Sequence, residues 1–293
     1  MANIDVGVVI LAWNHLNDTL ECLESLRKSE KVNPFLVVVD NGSTDGTFET
    51  IYSLYKENKV KVIRSERNLG IAGGYNLGLN YLVDLGYDYI LITNNDVVVE
   101  KHMLFNLISF ALRYENAGIV SPKVYHYFDK GKIWMIGARW RRFPPTLKMI
   151  AHNVEDSAQY HKPMELDYVP SCCYLLLKDV INKVGFFDES YFFYFDDWDY
   201  SKRVRDKGFK IWMNPIAVAW HKVSISTQKQ RKPYFWWKQM GYSASRFYRR
   251  YCSKHNQILG LGWMVAREIL KLEPVRALAI LNGVIEERNK NGW

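Results

Sequence analysis

Any chemistry in this chain would start from its carboxylates. Asp196, Asp197 and Asp199 stand together, set among Tyr194, Phe195, Trp198 and Tyr200. Carboxylates are costly to bury without partners, so one reading is a solvated acidic cluster at a helix start. The aromatic flanks argue for a partly closed pocket, where a carboxylate can serve as general base toward an alcohol. A second group is Asn94-Asn95-Asp96. In an extended segment residues 94 and 96 point to one side, and two oxygen ligands so spaced can hold Mg²⁺ or Mn²⁺ against a diphosphate, with water completing the shell. On its own that tripeptide reads more simply as a polar turn. Asp40 ends the apolar run Val37–Val39 and precedes a turn through Asn41 and Gly42. A carboxylate there can accept from a nucleobase N–H, whereas Asp45 reads as a helix cap. Asn68-Leu69-Gly70-Ile71-Ala72-Gly73-Gly74-Tyr75-Asn76 precedes a helical pattern. Backbone N–H groups at such a start suit a diphosphate. The run lacks the Gly-Lys-Ser/Thr of a phosphate-binding loop and does not follow the first strand, so alone it specifies little. His221 closes the apolar run Ile216–Trp220. A lone histidine is more often a satisfied core residue than a ligand, and the other six histidines have no context that assigns them anything.

These groups need strand ends to carry them. Val6–Ala12, Phe35–Val39, Val60–Ile63 and Tyr89–Thr93 read as buried strands, each a short apolar run. Between them lie helical patterns at 16–29, from Asp45 to about Lys56, and at 74–85, with another from Glu100 to Tyr114. Repeated βα units give a parallel sheet with right-handed crossovers, and ligands bind beyond the carboxyl ends of its strands. Asn14, Asp40, Arg67-Asn68 and Asp96 all fall at such ends, which packing alone does not explain. Residues 117–178 read as mixed strands with an insertion at about 140–165 whose pattern identifies no element. Short helices are expected at 178–184 and 196–207. A helical, aromatic region follows Pro233, broken near Gly260 and at Pro274.

The chain has 293 residues, 48% hydrophobic and 24% charged, with aromatics at 15%. That is ordinary for a globular protein with a large core, though rich in aromatics. The net charge of +8 is uneven: no Asp or Glu occurs from Lys207 to Arg267. Such a basic face suits an anionic partner. The four cysteines include the adjacent Cys172-Cys173, and no spacing resembles a zinc site. A reducing, cytoplasmic setting is expected. No apolar stretch reaches the roughly 20 residues of a membrane span, and the N-terminus does not resemble a signal peptide.

Taken in order, these motifs resemble the family 2 glycosyltransferases of GT-A fold, and within them a rhamnosyltransferase-like branch. The matching text is Ile10-Leu11-Ala12-Trp13-Asn14, Val38-Val39-Asp40-Asn41-Gly42-Ser43-Thr44-Asp45-Gly46, the run 68–76, and Asn94-Asn95-Asp96. Val184–Glu189, Phe195-Asp196-Asp197-Trp198-Asp199 and His221-Lys222 follow, the whole spanning roughly residues 5–225. The resemblance implies an α/β protein with a Rossmann-like, mostly parallel central sheet flanked by helices. A GT-A catalytic domain would occupy 1–225 and a basic, aromatic helical region 226–293. It implies an inverting, metal-dependent transferase that moves rhamnose or a related hexose from a dTDP- or UDP-sugar to a glycan or lipid-linked acceptor hydroxyl, in cell-surface polysaccharide assembly. Ala12, Asn14, Asp40, Asn68, Gly73, Asn76 and Asn95 would bind the nucleotide. Asp96, Asn94 and His221 would hold Mg²⁺ or Mn²⁺, Asp197 would be the base, and Asp196, Trp198 and Asp199 would meet the acceptor. Asn94 stands where the family often has an acid, which removes one negative charge from the metal site.

Pro233-Tyr234-Phe235-Trp236-Trp237-Lys238 opens a segment in which Phe247, Tyr248 and Tyr251 stand beside Arg246, Arg249 and Arg250. Such a segment fits a helix at an anionic membrane interface, peripheral at the inner face of the cell membrane, a helix packed on the catalytic domain, or both, and the lipid-linked acceptors common in the branch this chain resembles favour the membrane. Two rival functions remain: a nucleotide-sugar-binding regulator or scaffold without turnover, and a nucleic-acid-binding protein. The second leaves the strand-end acids unexplained, and no nucleic-acid partner is expected.

Overall fold

The computed structural model describes residues 3–55, 60–223 and 233–291. Lys56, the expected end of the second helix, and the boundary expected at 225/226 lie outside the described residues. The N-terminal half is a run of βα units: β1 (Ile4–Ala12), α1 (Leu16–Arg27), β2 (Val32–Asp40), α2 (Thr47–Tyr55), β3 (Val60–Arg64), α3 (Gly70–Asp84) and β4 (Tyr89–Asn94). Then come β5 (Val97–Val99), α4 (Met103–Ala111), β6 (Ala117–His126), β7 (Lys132–Arg141), β8 (Thr146–Glu155), β9 (Met164–Leu166) and β10 (Cys173–Leu177). The chain continues through α5 (Lys178–Val184), α6 (Asp196–Asp206), β11 (Lys210–His221), α7 (Pro233–Tyr251), α8 (Lys254–Leu270) and α9 (Pro274–Asn291).

One 11-stranded sheet runs β3-β2-β1-β4-β10-β6-β11-β5, with β7 and β8 attached beside β6, and β9 beside β11. β3, β2, β1 and β4 pair in parallel; β1, β2 and β4 are largely buried apolar runs, whereas β3, expected to be buried, is an edge strand buried only at Val60. β10 runs antiparallel between β4 and β6. Its start, and not its end, therefore lies beside the carboxyl end of β4. Two apolar clusters cover the faces of the sheet, one around Val8, Ile10 and Leu107, the other around Val9, Leu79 and Ile92.

Three expectations need correcting. The glycine-rich run does not lie ahead of its helix: α3 begins at Gly70, so Gly73 and Gly74 are helical. The small residues let the helix approach the sheet, since a Cβ on Gly74 would collide with Leu11 and one on Gly78 with Val9. The insertion at 140–165 contains β8 and the turn that joins it antiparallel to β7. β8 is largely exposed, so it lacks the buried alternation that would mark a strand. The helix expected to break near Gly260 runs through it, because that glycine lies against the Tyr248 ring.

The C-terminal helices are not detached. Phe247 and Tyr248 of α7 are buried in a third cluster with Tyr191, Phe195 and Trp198. Arg250 binds Asp188 and Asp199, and Arg249 binds the buried Glu287 of α9. α7 packs on the catalytic domain.

Candidate active site

β1, β2 and β4 end level with one another: Ala12 pairs with Asp40, and Leu11 with Asn94. Beyond that edge lies a cavity of about 140 Å³. Asn41, Asn68, Asn94, Asn95, Asp96 and His221 supply its polar lining, and Trp13, Phe192, Phe193 and Trp236 its aromatic walls. Asn41 organises one side. Its Nδ2 donates to Asn68 Oδ1 (3.2 Å) and to the Gly70 carbonyl (3.0 Å), and its Oδ1 accepts from Leu69 N–H (2.9 Å). Gly70 holds φ 79°, and a Cβ there would strike the Phe192 carbonyl, so only glycine fits. The 68–70 turn is thereby fixed between Asn41 and the loop before α6.

The other side is built at the end of β1. Asn14 and His15 both sit in the left-handed region, at φ 60° and 62°. Asn14 Oδ1 accepts from Thr44 N–H (2.9 Å), its N–H donates to Ser43 Oγ (2.7 Å), and its carbonyl accepts from Asn95 Nδ2 (3.0 Å). Asp45 accepts from Thr47 N–H and His15 N–H, which is the capping role expected of it. Strained backbone of this sort persists only where its surroundings over-determine it, and it gathers at functional loops.

Several predicted nucleotide ligands stand elsewhere. Asp40 is fully buried beneath the cavity. Its Oδ2 accepts from Ser43 N–H (3.3 Å) and its Oδ1 has no partner. Burial pushes its carboxyl up, against the Ser43 hydrogen bonds. Its neighbour Asn41, not Asp40, reaches the lining. Ala12 is buried too, its carbonyl accepting from Asn41 N–H (2.8 Å). Asn76 spends its amide on Phe187 and Glu189, and Gly73 packs against Leu69. Both belong to the seat of the 186–189 segment and not to the cavity wall.

Asp96 and His221 meet there, as the sequence suggested. Asp96 Oδ1 lies 3.1 Å from His221 Nε2, and Trp134 packs edge-on against the imidazole at 4.4 Å between centroids. The Lys222 N–H donates to the Asp96 carbonyl (3.0 Å), which fastens the end of β11 to this turn. Burial works to raise the Asp96 carboxyl, but the neighbouring imidazole outweighs it and holds the group below the usual carboxylate range. Asp96 Oδ1 and His221 Nδ1 are both buried and complete no aligned hydrogen bond. Unsatisfied buried groups of this kind ask for a partner. A hard divalent cation fits them as donors, although among the described residues no group of three His, Cys, Asp or Glu gathers to hold one. Two protein ligands are enough only if a diphosphate and water complete the shell. Asn94 is committed differently, its Oδ1 accepting from the Tyr75 hydroxyl at 2.7 Å.

Tyr75 connects this end to the acids of α6. Its hydroxyl is also 2.9 Å from the Ser171 carbonyl. Ser171, just before β10, donates its N–H to Asp197 Oδ2 (3.4 Å) and its hydroxyl to Asp196 Oδ2 (3.4 Å). Tyr168 donates to the same Asp197 oxygen at 2.8 Å. α6 is launched from two left-handed aromatics, Tyr194 at φ 63° and Phe195 at φ 64°. Left-handed backbone costs a residue with a side chain roughly 1–2 kcal/mol. Burial raises the Asp197 carboxyl to about 6, although Tyr168 and Ser171 pull the other way. Burial and the adjacent Asp197 push Asp196 well above its usual range. Asp199, predicted to meet an acceptor, is a clamp instead. Fully buried, it accepts from Arg203 (2.7 Å), Arg250 (3.1 Å) and Tyr251 (2.6 Å), joining α6 to α7.

A second cavity, of about 380 Å³, opens on the other side of Tyr168 and Trp198. Trp140, Phe247 and Tyr251 wall it, and Arg142, Lys202 and Arg205 add positive charge. Trp198 is part of its lining. Sequence reasoning missed Asn41, Ser171, Tyr168, Phe192 and Trp236. Of these only Asn41, adjacent to the singled-out Asp40, carried a local signal.

The fold has solved counterparts. GalNAc-T7 in a structure with UDP, GalNAc and Mn²⁺ matches with TM-score 0.66 at 12% identity, over 99% of this chain and 56% of that one. A mannosyltransferase from Pyrobaculum calidifontis, in complex with GDP-Man and Mn²⁺, matches with TM-score 0.57 at 13% identity, over 98% and 88%. Both likenesses are of fold, a mixed sheet flanked by helices as in GT-A glycosyltransferases. In sequence the chain is 26% identical over 244 residues to the N-acetylglucosaminyl-diphospho-decaprenol L-rhamnosyltransferase of Mycobacterium tuberculosis, covering 76% of each. It is 24% identical over 232 residues to the dTDP-rhamnosyl transferase RfbF of Shigella flexneri, covering 78% of this chain and 72% of that one. The family model for glycosyl transferase family 2 matches residues 7–185, more than half the chain, and the protein belongs to that family.

Proposed function

We propose that this glycosyltransferase moves rhamnose or a related hexose from a dTDP- or UDP-sugar to a hydroxyl of a glycan or lipid-linked acceptor, with inversion at the anomeric carbon. The observation that carries the reading is the hydrogen-bonded path from Asn94 through Tyr75 and Ser171 to Asp197. It couples a cavity suited to a nucleoside diphosphate to a carboxylate with a pKa of about 6. A base needs a pKa near the working pH to be ionised and still take a proton. Asp197 then removes the proton of the acceptor hydroxyl as that oxygen attacks, while Tyr168 and Ser171 hold the carboxylate in place. Asp196, pushed far up by burial, stays the more protonated of the two. The aromatic second cavity is the natural seat for the acceptor, with Trp198 next to the base. Asp96 and His221 are the residues that would hold Mg²⁺ or Mn²⁺, which when bound offsets the negative charge of the departing diphosphate. Rhamnose is favoured among donors because two relatives over most of the chain are rhamnosyltransferases by name.

A panel of dTDP-, UDP- and GDP-sugars with Mg²⁺ or Mn²⁺ tests this by slow donor hydrolysis and by protection against heat. One specific observation favours a binding protein without turnover: Asn94 adds no charge, and its oxygen is already engaged by Tyr75. That alternative expects donor protection but no hydrolysis with any sugar of the panel.

A further inference from the structure

The C-terminal helices carry an apolar surface that the rest of the protein leaves uncovered. On α8, Ile258 is 68% exposed and Leu270 75%. The turn into α9 presents Leu272 at 87%. On α9, Val275, Leu278 and Ile285 follow at helical spacing, all exposed. The opposite sides of both helices are buried, through Leu261 and Met264 on α8 and Ala277, Ile280 and Val284 on α9. This is the pattern of an amphipathic pair with one face packed and the other open. Leu272 is the more telling residue because it occupies φ 61°. A turn in that conformation favours glycine or asparagine, so the leucine is not there for the turn.

Charge selects what covers the surface. The α8–α9 hairpin, residues 254–291, holds six Lys and Arg (Lys254, Arg267, Lys271, Arg276, Arg288 and Lys290) against four acids, Glu268, Glu273, Glu286 and Glu287, a net +2. α7 beside it adds Lys238, Arg246 and Arg249, and Arg250, which is bound to Asp188 and Asp199. Glu268 and Glu287 are fully buried, and Arg267, Lys271 and Arg249 bind them. Glu273 is bound by Arg276, and Glu286 by Lys238 and Lys290. Two copies of the protein meeting through this face would bring like charge to like charge. An anionic lipid surface attracts the charge and accepts the apolar side chains. Among the described residues no helix is long and apolar enough to cross a membrane, so the contact is with the surface of the bilayer.

We propose that the α8–α9 hairpin docks the protein on an anionic membrane, with Leu270 and Leu272 at the turn entering the headgroup layer. The docking uses none of the residues of the active site, so it stands or falls separately from the proposed reaction. The test is co-sedimentation of the full chain with vesicles of phosphatidylcholine alone or with about one third phosphatidylglycerol, at low and high salt, alongside its oligomeric state by light scattering. The expected result is a monomer that sediments with the anionic vesicles, at least about tenfold less with neutral ones, and less at high salt. The double substitution Leu270→Asp/Leu272→Asp abolishes the binding with an unchanged melting temperature, because both side chains are exposed. Ile258→Asp, at the far end of α8, weakens it. Failure to bind anionic vesicles overturns the proposal, as does equal binding to both lipids. A dimer that Leu270→Asp/Leu272→Asp splits assigns the face to a second copy and also overturns it.

Discussion

Replacing Asp197 by Asn separates what this carboxylate does for catalysis from what it does to the fold. Its carboxyl has a pKa of about 6 in the folded protein, against roughly 3.9 for an unstrained aspartate. The folded state therefore holds the proton more tightly than the unfolded chain. Below about pH 4 both states are protonated and the residue costs nothing. As pH rises from about 4 to about 6 the unfolded chain ionises first, and stability is lost. Above about pH 6 the loss is complete. Two pKa units correspond to roughly 3 kcal/mol, and at about 2 °C per kcal/mol for a chain of this size the upper bound is a shift of roughly 6 °C. An Asn side chain keeps an oxygen to accept from Tyr168 and Ser171. Asp197→Asn should thus melt several degrees higher than the parent at pH 8, and the gap should close toward pH 4. Turnover should fall by roughly 10²–10⁴, as for a lost general base, with donor binding intact. Thermal melts by circular dichroism from pH 4 to 8, paired with donor binding and transfer assays, read all three. A variant less stable at pH 8, or a gap that does not narrow with acid, refutes the electrostatic argument. Turnover within a few fold of the parent refutes the assignment of the base.

Other outcomes follow from the same geometry. Asp96→Asn should weaken donor binding in Mn²⁺ by roughly tenfold or more while leaving binding in excess chelator unchanged, measured by titration calorimetry. Transfer by the parent protein should rise with pH through about 6, the value at which Asp197 ionises, and a pH–rate profile flat from 5 to 7 contradicts this. Asn41→Ala removes three hydrogen bonds from the 68–70 turn; it should lower stability by about 2 kcal/mol in denaturant titrations and raise the donor KM more than it lowers kcat. Gly283→Ala puts a methyl group against the Lys238 carbonyl where α9 crosses α7, and melts should show a loss of roughly 1–3 kcal/mol.

The strand-end residues were legible because a buried parallel strand is a continuous apolar run, and the polar residue that stops it marks the sheet edge. That logic singled out Asp96, the family resemblance added His221, and both line the same cavity. At the end of β2 it is Asn41 that lines the cavity, while Asp40 lies buried beneath it with Oδ1 unpartnered. Ser171 and Tyr168 could not be found this way. Neither sits in a motif, and their importance comes from β10 entering the sheet against its neighbours. Asp199 misled for a related reason. Three acids within four residues look alike in sequence, but the i,i+4 partner Arg203 and the distant Arg250 make the third a clamp. The β7–β8 hairpin was invisible because its outer strand is exposed along most of its length.

The reversed direction of β10 divides the labour of the molecule. On one side of it β1, β2 and β4 end level at the first cavity. The hairpin and loops of residues 132–170 arrive at the catalytic edge through the start of β10 and wall the second cavity with Trp140, Arg142, Asp167 and Tyr168. The same stretch also reaches the first cavity, where Trp134 packs on His221, and it holds Asp197 through Tyr168, so one contiguous segment touches both ends of the site.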